Sequence, residues 1–308
     1  MCIRDREIGR AKCLDLVIKH YLDQAGTRLI VDTLSYWSLD DGAREFLDTM
    51  IEKSPFTSVR AASLMAQIRR DSQWIKFQNH QPEARKLFKM YIDEGTTPAV
   101  RAEGERLIAK LEAMDVDQLR KDLNKKLDHL EKYADVELPL YGNGTRAAWL
   151  LRHAINKVIP GAQAPELEAI DLDGKQFRLS EHRGKHVVLV FSHYCIKDSF
   201  NKDYLSLLQL TARHRQDVQV VGILSGMTPA EFKERRESNE INWLVLPQDD
   251  YDLALKWGID GTCAYIVDAE GILQPEISMS YLGVGGFDTL EIAKELEKLL
   301  NRPKKNDK

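Results

Sequence analysis

The residues with the most chemistry to offer are the cysteines. The chain has four in 308 residues, Cys2, Cys13, Cys195 and Cys263, and no two stand as close as C-x-x-C. That spacing excludes a zinc ribbon and a dense disulfide scaffold, which both need paired thiols. Cys195 lies in Phe191-Ser192-His193-Tyr194-Cys195-Ile196-Lys197-Asp198. A thiol reacts as the thiolate, so neighbouring charge matters: Lys197 and His193 favour ionisation, and Asp198 opposes it. Cys263 begins the apolar run Cys263-Ala264-Tyr265-Ile266-Val267, where a cysteine commonly serves as a small apolar residue. Cys13 falls among Ala11, Leu14, Val17 and Ile18 at helical spacing and is expected in the core.

The start, Met1-Cys2-Ile3-Arg4-Asp5-Arg6, reads back into codons as ATG TGT ATA AGA GAC AG, the transposon end used in sequencing libraries. Residues 1–6 are therefore expected to be an adapter scar that takes Cys2 with it. On that reading the native N-terminus, with any signal peptide or lipid anchor, precedes what is given.

The elements that must position these thiols change character along the chain. Residues 7–157 read as helix after helix, punctuated by Pro55, Pro82 and Pro98 and by Gly26, Gly42 and Gly95. Leu107, Leu111, Leu119, Leu123, Leu127 and Leu130 keep helical spacing through the later part. The segment Leu39–Arg70 resembles one unit of a helical-repeat array, so this all-helical domain is read as repeat-like. Turn formers gather at Pro139-Leu140-Tyr141-Gly142-Asn143-Gly144. A helix over Arg146–Lys157 then leads to a linker at Ile159-Pro160-Gly161.

Beyond the linker the period becomes that of strands: Phe177–Leu179, His186–Phe191, Val218–Leu224, Trp243–Leu246 and Cys263–Val267. Helices are expected at Asp198–Arg213, Pro229–Ser238, Tyr251–Trp257 and Asp288–Leu300. Thr228-Pro229-Ala230-Glu231 has the form of a capping box. Strands alternating with helices imply an α/β domain over residues 158–302 with a largely parallel sheet covered on both faces. Residues 303–308 form a basic tail. The net charge of −4 lacks the basic bias of a nucleic-acid binder. The longest apolar runs, such as Val187–Phe191, fall far short of the roughly 20 residues of a membrane helix.

Three stretches carry a resemblance. They are Gly161-Ala162-Gln163-Ala164-Pro165, Asp171-Leu172-Asp173-Gly174-Lys175, and Leu179-Ser180-Glu181-His182-Arg183-Gly184-Lys185 followed by His186–Phe191. Together they resemble the opening of a redoxin (AhpC/TSA-like) domain, the thioredoxin-fold group that includes TlpA/ResA-type thiol–disulfide reductases and peroxiredoxins. Trp257-Gly258-Ile259-Asp260-Gly261-Thr262, then Ala264–Gly271, resembles that group's second active-site loop and hairpin. The helical half resembles, more loosely, the N-terminal region of large TlpA-like proteins of planctomycetes.

The resemblance implies a thioredoxin-like fold with its reactive thiol where the first strand meets its helix. There the helix N-terminus stabilises a thiolate. Cys195 takes that place after a one-residue deletion, and Asp198 replaces the second cysteine of C-x-x-C. A peroxiredoxin motif would have Ser192 at its hydroxyl position, but Val188 stands where its proline belongs. The fold's cis-proline position falls on Thr262 or Cys263.

Two readings stay open. In the first, the chain is a thiol–disulfide oxidoreductase, or has peroxiredoxin-like antioxidant activity, with Cys195 as nucleophile. Cys263 or an external thiol resolves it, and His193, Lys197, Asp198 and Thr262 support it. The second is a degenerate thioredoxin-fold binding or scaffold protein without redox activity. No cofactor is implied, and a soft-metal site of His193, Cys195 and Cys263 lacks the spacing of copper-delivery relatives. The partners implied are a protein or small-molecule disulfide or thiol, and a protein held by the helical domain. The location implied is periplasmic or envelope-associated.

Overall fold

The computed structural model describes residues 4–24, 26–37, 41–95, 97–193, 214, 216–237, 243–248, 252–259, 262–275, 277 and 289–301. The chain divides into two compact units, Met1–Ile155 and Asn156–Lys308.

The first unit is built from α1 (Arg4–Tyr21), α2 (Thr27–Trp37), α3 (Asp41–Lys53), α4 (Thr57–Asn79), α5 (Gln81–Asp93), α6 (Pro98–Glu112) and α7 (Val116–Leu130). A short hairpin follows, β1 (Glu137–Leu138) with β2 (Gly142–Asn143), where the sequence shows turn formers alone. Then comes α8 (Gly144–Lys157). Side-chain caps set several starts. Thr97 accepts from the Val100 N–H at 3.3 Å with Pro98 in the first turn. Asp115 accepts from the Gln118 N–H at 2.9 Å, and Asn143 from the Arg146 N–H at 2.9 Å. Each satisfies a donor the helix itself leaves open.

Helix α4 is buried on nearly every side, from Val59 to Phe77, and is touched by α2, α3, α5, α6 and α7. Its buried Gln67 is held by hydrogen bonds. Gln67 donates to the Asp48 carboxylate and accepts from Lys126 Nζ at 3.0 Å, while Lys126 also donates to Asp71 at 2.7 Å. Trp74, Phe77 and Phe88 pack with ring centroids 5.1–5.9 Å apart.

Cys13 corrects the sequence reading: it is exposed, not in the core. A helix turns about 100° per residue, so Cys13 stands about a quarter-turn from buried Leu14 and lies at the edge of the stripe, next to the half-buried Val17 one turn on.

In the second unit, β3 (Glu168–Ile170) and β4 (Gln176–Arg178) form an antiparallel hairpin followed by a 3-10 turn, Leu179–His182. The main sheet contains β5 (His186–His193), β6 (Val218–Ser225), β7 (Leu244–Gln248) and β8 (Cys263–Val267) in the order β7-β6-β5-β8. The β5–β6 and β6–β7 pairs are parallel, and β8 runs antiparallel to β5. The described helices of this unit are α9 (Pro229–Glu237), α10 (Asp252–Lys256) and α11 (Thr289–Leu300). The capping box forms: the Thr228 N–H donates to Glu231 at 2.7 Å and the Glu231 N–H to Thr228 Oγ1 at 3.3 Å.

Alternation along β5 divides the core in two. Val187, Leu189 and Phe191 face a cluster with Val221, Ile223, Trp257, Cys263 and Tyr265. Val188 and Val190 face a second cluster closed by Ile292, Leu296 and Leu299 of α11. The expected helix over Asp198–Arg213, the glycine-rich stretch Tyr281–Gly286, and the tail at 303–308 lie outside the described residues.

The motif stretches meet as turns and joints. Asp171 Oδ1 accepts from the Asp173 and Lys175 N–H groups, each at 2.8 Å, and Gly174 supplies a φ of 79° to close the β3–β4 turn. Arg236 of α9 clamps Asp173 with two bonds of 2.9 and 2.7 Å and holds its carboxyl below the usual carboxylate range. The Gly161 N–H donates to Leu273 O at 2.7 Å and the Ala164 N–H to Gly271 O at 2.9 Å, which docks the linker on the hairpin after β8.

Candidate functional site

The site is assembled at the carboxyl end of β5. Parallel strands leave a crevice at such ends, where ligands of open α/β sheets bind. On one side β5 runs in register with β6, down to His193 opposite Ser225. On the other, its pairing with β8 ends at Phe191 opposite Cys263. One residue further, Ser192 Oγ and Thr262 Oγ1 lie 3.2 Å apart, a hydroxyl bond that prolongs the union of the strands after the backbone ladder stops. Ser192 is 6 % exposed.

Cys263 is 2 % exposed and packs on the Phe191 face of the sheet. Phe191, Trp257 and Tyr265 wall that face, with ring centroids 5.6 to 6.4 Å apart. The indole N–H of Trp257 is buried and finds no hydrogen-bond partner among the described residues, an energetic cost borne inside the wall.

Of the residues singled out from sequence, Thr262 is brought to Ser192 and Cys263 to Phe191. His193 closes β5 with its backbone. Cys195, Lys197 and Asp198 lie outside the described residues, as do Asp260 and Gly261 ahead of Thr262. The sequence reading missed the Ser192–Thr262 bond and the aromatic wall. The wall had no signal in the sequence, because alternation fixes faces within one strand and only the β5–β8 register puts Phe191 and Tyr265 on the same side.

The titrating groups with resolved shifts sit near the hairpin. Burial would raise the Glu166 carboxyl, but hydrogen bonds from the Ser180 side chain and from the backbone of Ser180, Leu167 and Leu179 bring it below its usual value. His182 stacks on Phe177 at 4.8 Å, and its imidazole is held below its ordinary value by burial and then by the charge of Lys185. Among the described residues no group of three or more His, Cys, Asp or Glu side chains is placed to hold a metal ion. No helix among them is long and apolar enough to cross a membrane.

A central strand flanked by a parallel and an antiparallel neighbour, entered from a β3–β4 hairpin and backed by α11, defines a thioredoxin-like domain. Residues 160–275 match the model of the AhpC/TSA family, and the second unit of the chain carries an AhpC/TSA family domain. No curated protein matches the chain.

Among solved structures the chain is similar to the thioredoxin domain of a thiol-disulfide oxidoreductase from Bacteroides vulgatus. That match has 22 % identity over 45 % of this chain and 97 % of the other, with a TM-score of 0.36. A thiol:disulfide interchange protein from Bacteroides sp. matches at 24 % identity over 48 % and 93 % of the two chains, with a TM-score of 0.38. The AhpC of Mycobacterium tuberculosis matches at 20 % identity over 46 % and 93 %, with a TM-score of 0.39.

Proposed function

We propose that the AhpC/TSA domain performs thiol–disulfide exchange through a single nucleophile, Cys195. The observation that carries the reading is its tether. Cys195 follows Ser192 in sequence by three residues, and Ser192 lies at the carboxyl end of the central strand, bonded to Thr262. In the reaction the Cys195 thiolate attacks one sulfur of a disulfide, forming a mixed disulfide and expelling the other sulfur as thiolate. A second thiol then attacks the substrate sulfur of the mixed disulfide, restoring Cys195 as thiolate.

Lys197 and His193 would favour the thiolate, and Asp198 would oppose it. The burial of Cys263 in the aromatic wall supports an external thiol as the usual resolving partner. The substrate is proposed to be a protein or small-molecule disulfide outside the cytoplasm, a location that rests on the motif resemblance. The helical unit is proposed to contact a protein partner. The half-exposed Leu16 and Tyr21 on α1 support that role.

The test is the rate of iodoacetamide alkylation across pH 4–10, read at the Cys195 peptide by mass. An apparent pKa below about 7 is expected, with disulfide-exchange activity lost in Cys195→Ser. Slow alkylation with a pKa near or above about 8.5 would overturn the proposal and leave a thioredoxin-fold binding protein without redox activity.

A further inference from the structure

We infer that the Ser192–Thr262 hydroxyl pair is a latch that keeps the Cys263 thiol closed off, and that opening it makes Cys263 available as a second thiol. The inference does not depend on Cys195 being nucleophilic. Cys263 is the first residue of β8, and the β5–β8 ladder ends on it opposite Phe191. Strand ends are where a sheet opens locally at least cost. An opening that starts beyond the ladder therefore meets the 3.2 Å hydroxyl bond first and the thiol immediately after.

The pair acts on the strands rather than on the sulfur. Ser192 alternates with Phe191 and so lies on the α11 face with Val188 and Val190, while Cys263 packs on the opposite face. Ser192 is 6 % exposed, so its hydroxyl has little water to turn to when the bond is lost. On the other face Phe191, Trp257 and Tyr265 shield the thiol only while β8 stays seated.

The experiment uses the full chain, alkylated with iodoacetamide at fixed pH and read separately at the Cys263 and Cys195 peptides. Ser192→Ala and Thr262→Val each remove one partner. Each should speed Cys263 alkylation by about 3- to 10-fold, the scale of one neutral hydrogen bond, and the double variant should add little more. Thr262→Ser keeps the hydroxyl and should stay within about twofold of the parent. Thr228→Ala loosens the same domain at the α9 cap, and it too should leave Cys263 within about twofold.

Unchanged Cys263 rates in Ser192→Ala and Thr262→Val would overturn the latch. So would an equal rise in Thr228→Ala, which would trace exposure to general loosening. Should Ser192→Ala not fold, Thr262→Val with its serine rescue decides alone. An unreactive Cys195 in the same digests would sink the proposed exchange reaction and leave the latch intact.

Discussion

Replacing Gly271 by alanine should destabilise the second unit by about 1.5–3 kcal/mol, from two sources that can be separated. Gly271 has a φ of 85°, in the left-handed region, where a side chain costs about 1–2 kcal/mol. The added methyl would also stand 2.0 Å from Arg183 Cζ and 2.2 Å from its Nη1. The guanidinium is the far end of a flexible side chain and can move aside. Moving gives up its 3.1 Å bond to Gln163 Oε1, an exposed contact worth about 0.5–1 kcal/mol.

Urea unfolding of the full chain, followed through the transition of the second unit, reads the sum. The melting temperature of that unit should fall by about 4–10 °C. In an Arg183→Ala background the clash is gone, and the cost of Gly271→Ala should shrink to the backbone part, about 1–2 kcal/mol. A cost below about 0.5 kcal/mol in the parent would refute the backbone argument. Equal costs in both backgrounds would refute the clash.

In the helical unit, Lys126→Met should cost about 1–3 kcal/mol by urea titration, because it strips Asp71 and Gln67 of their shared cation in a half-buried setting. Lys126→Arg should recover part of it, and no change in either variant would show the cluster to be incidental. His182 should make the second unit lose stability as pH falls. Its folded pKa lies below the unfolded value near 6.5, so beneath that pH the unfolded chain takes up the proton first. His182→Phe should flatten the decline between pH 6.5 and the folded value, and an unchanged profile would refute it. Glu166 should add an acid loss lower down, present as stability above the unfolded carboxyl value and lost as pH falls through the depressed one. Glu166→Gln should remove that loss, as read by the urea midpoint below pH 5.

What could be read from the sequence was whatever short-range chemistry decides. Val187–Phe191 and Val218–Leu224 are β-branched runs that belong to a buried sheet on composition alone, and Thr228 with Glu231 names its own helix start. β3 escaped notice because three residues, Glu168-Ala169-Ile170, become a strand only against β4. The antiparallel sense of β8 depends on how the chain returns, which five apolar residues do not encode. Cys13 was misjudged because it sits at the edge of the apolar stripe, about 100° from buried Leu14 and beside a Val17 that is itself only half-buried. At the site, Cys263 could be marked as a buried strand residue. Its closeness to Phe191, and the bond from Ser192 to Thr262, join positions some 70 residues apart and come only with the register of β5 and β8.

The placement of α4 sets how the helical unit can change over evolutionary time. In a stacked array each helix pair touches only its neighbours, so pairs can be duplicated or trimmed and the remainder stays covered. Here five helices lean on one axle whose Ser63, Gln67, Arg69 and Arg70 are all buried. Deleting any of those five would leave part of the axle bare, and inserting a pair would find no free side to receive it. The part of the unit from α2 to α7 is therefore free to drift in sequence at its surface but constrained in its number of helices, and it should melt as one block.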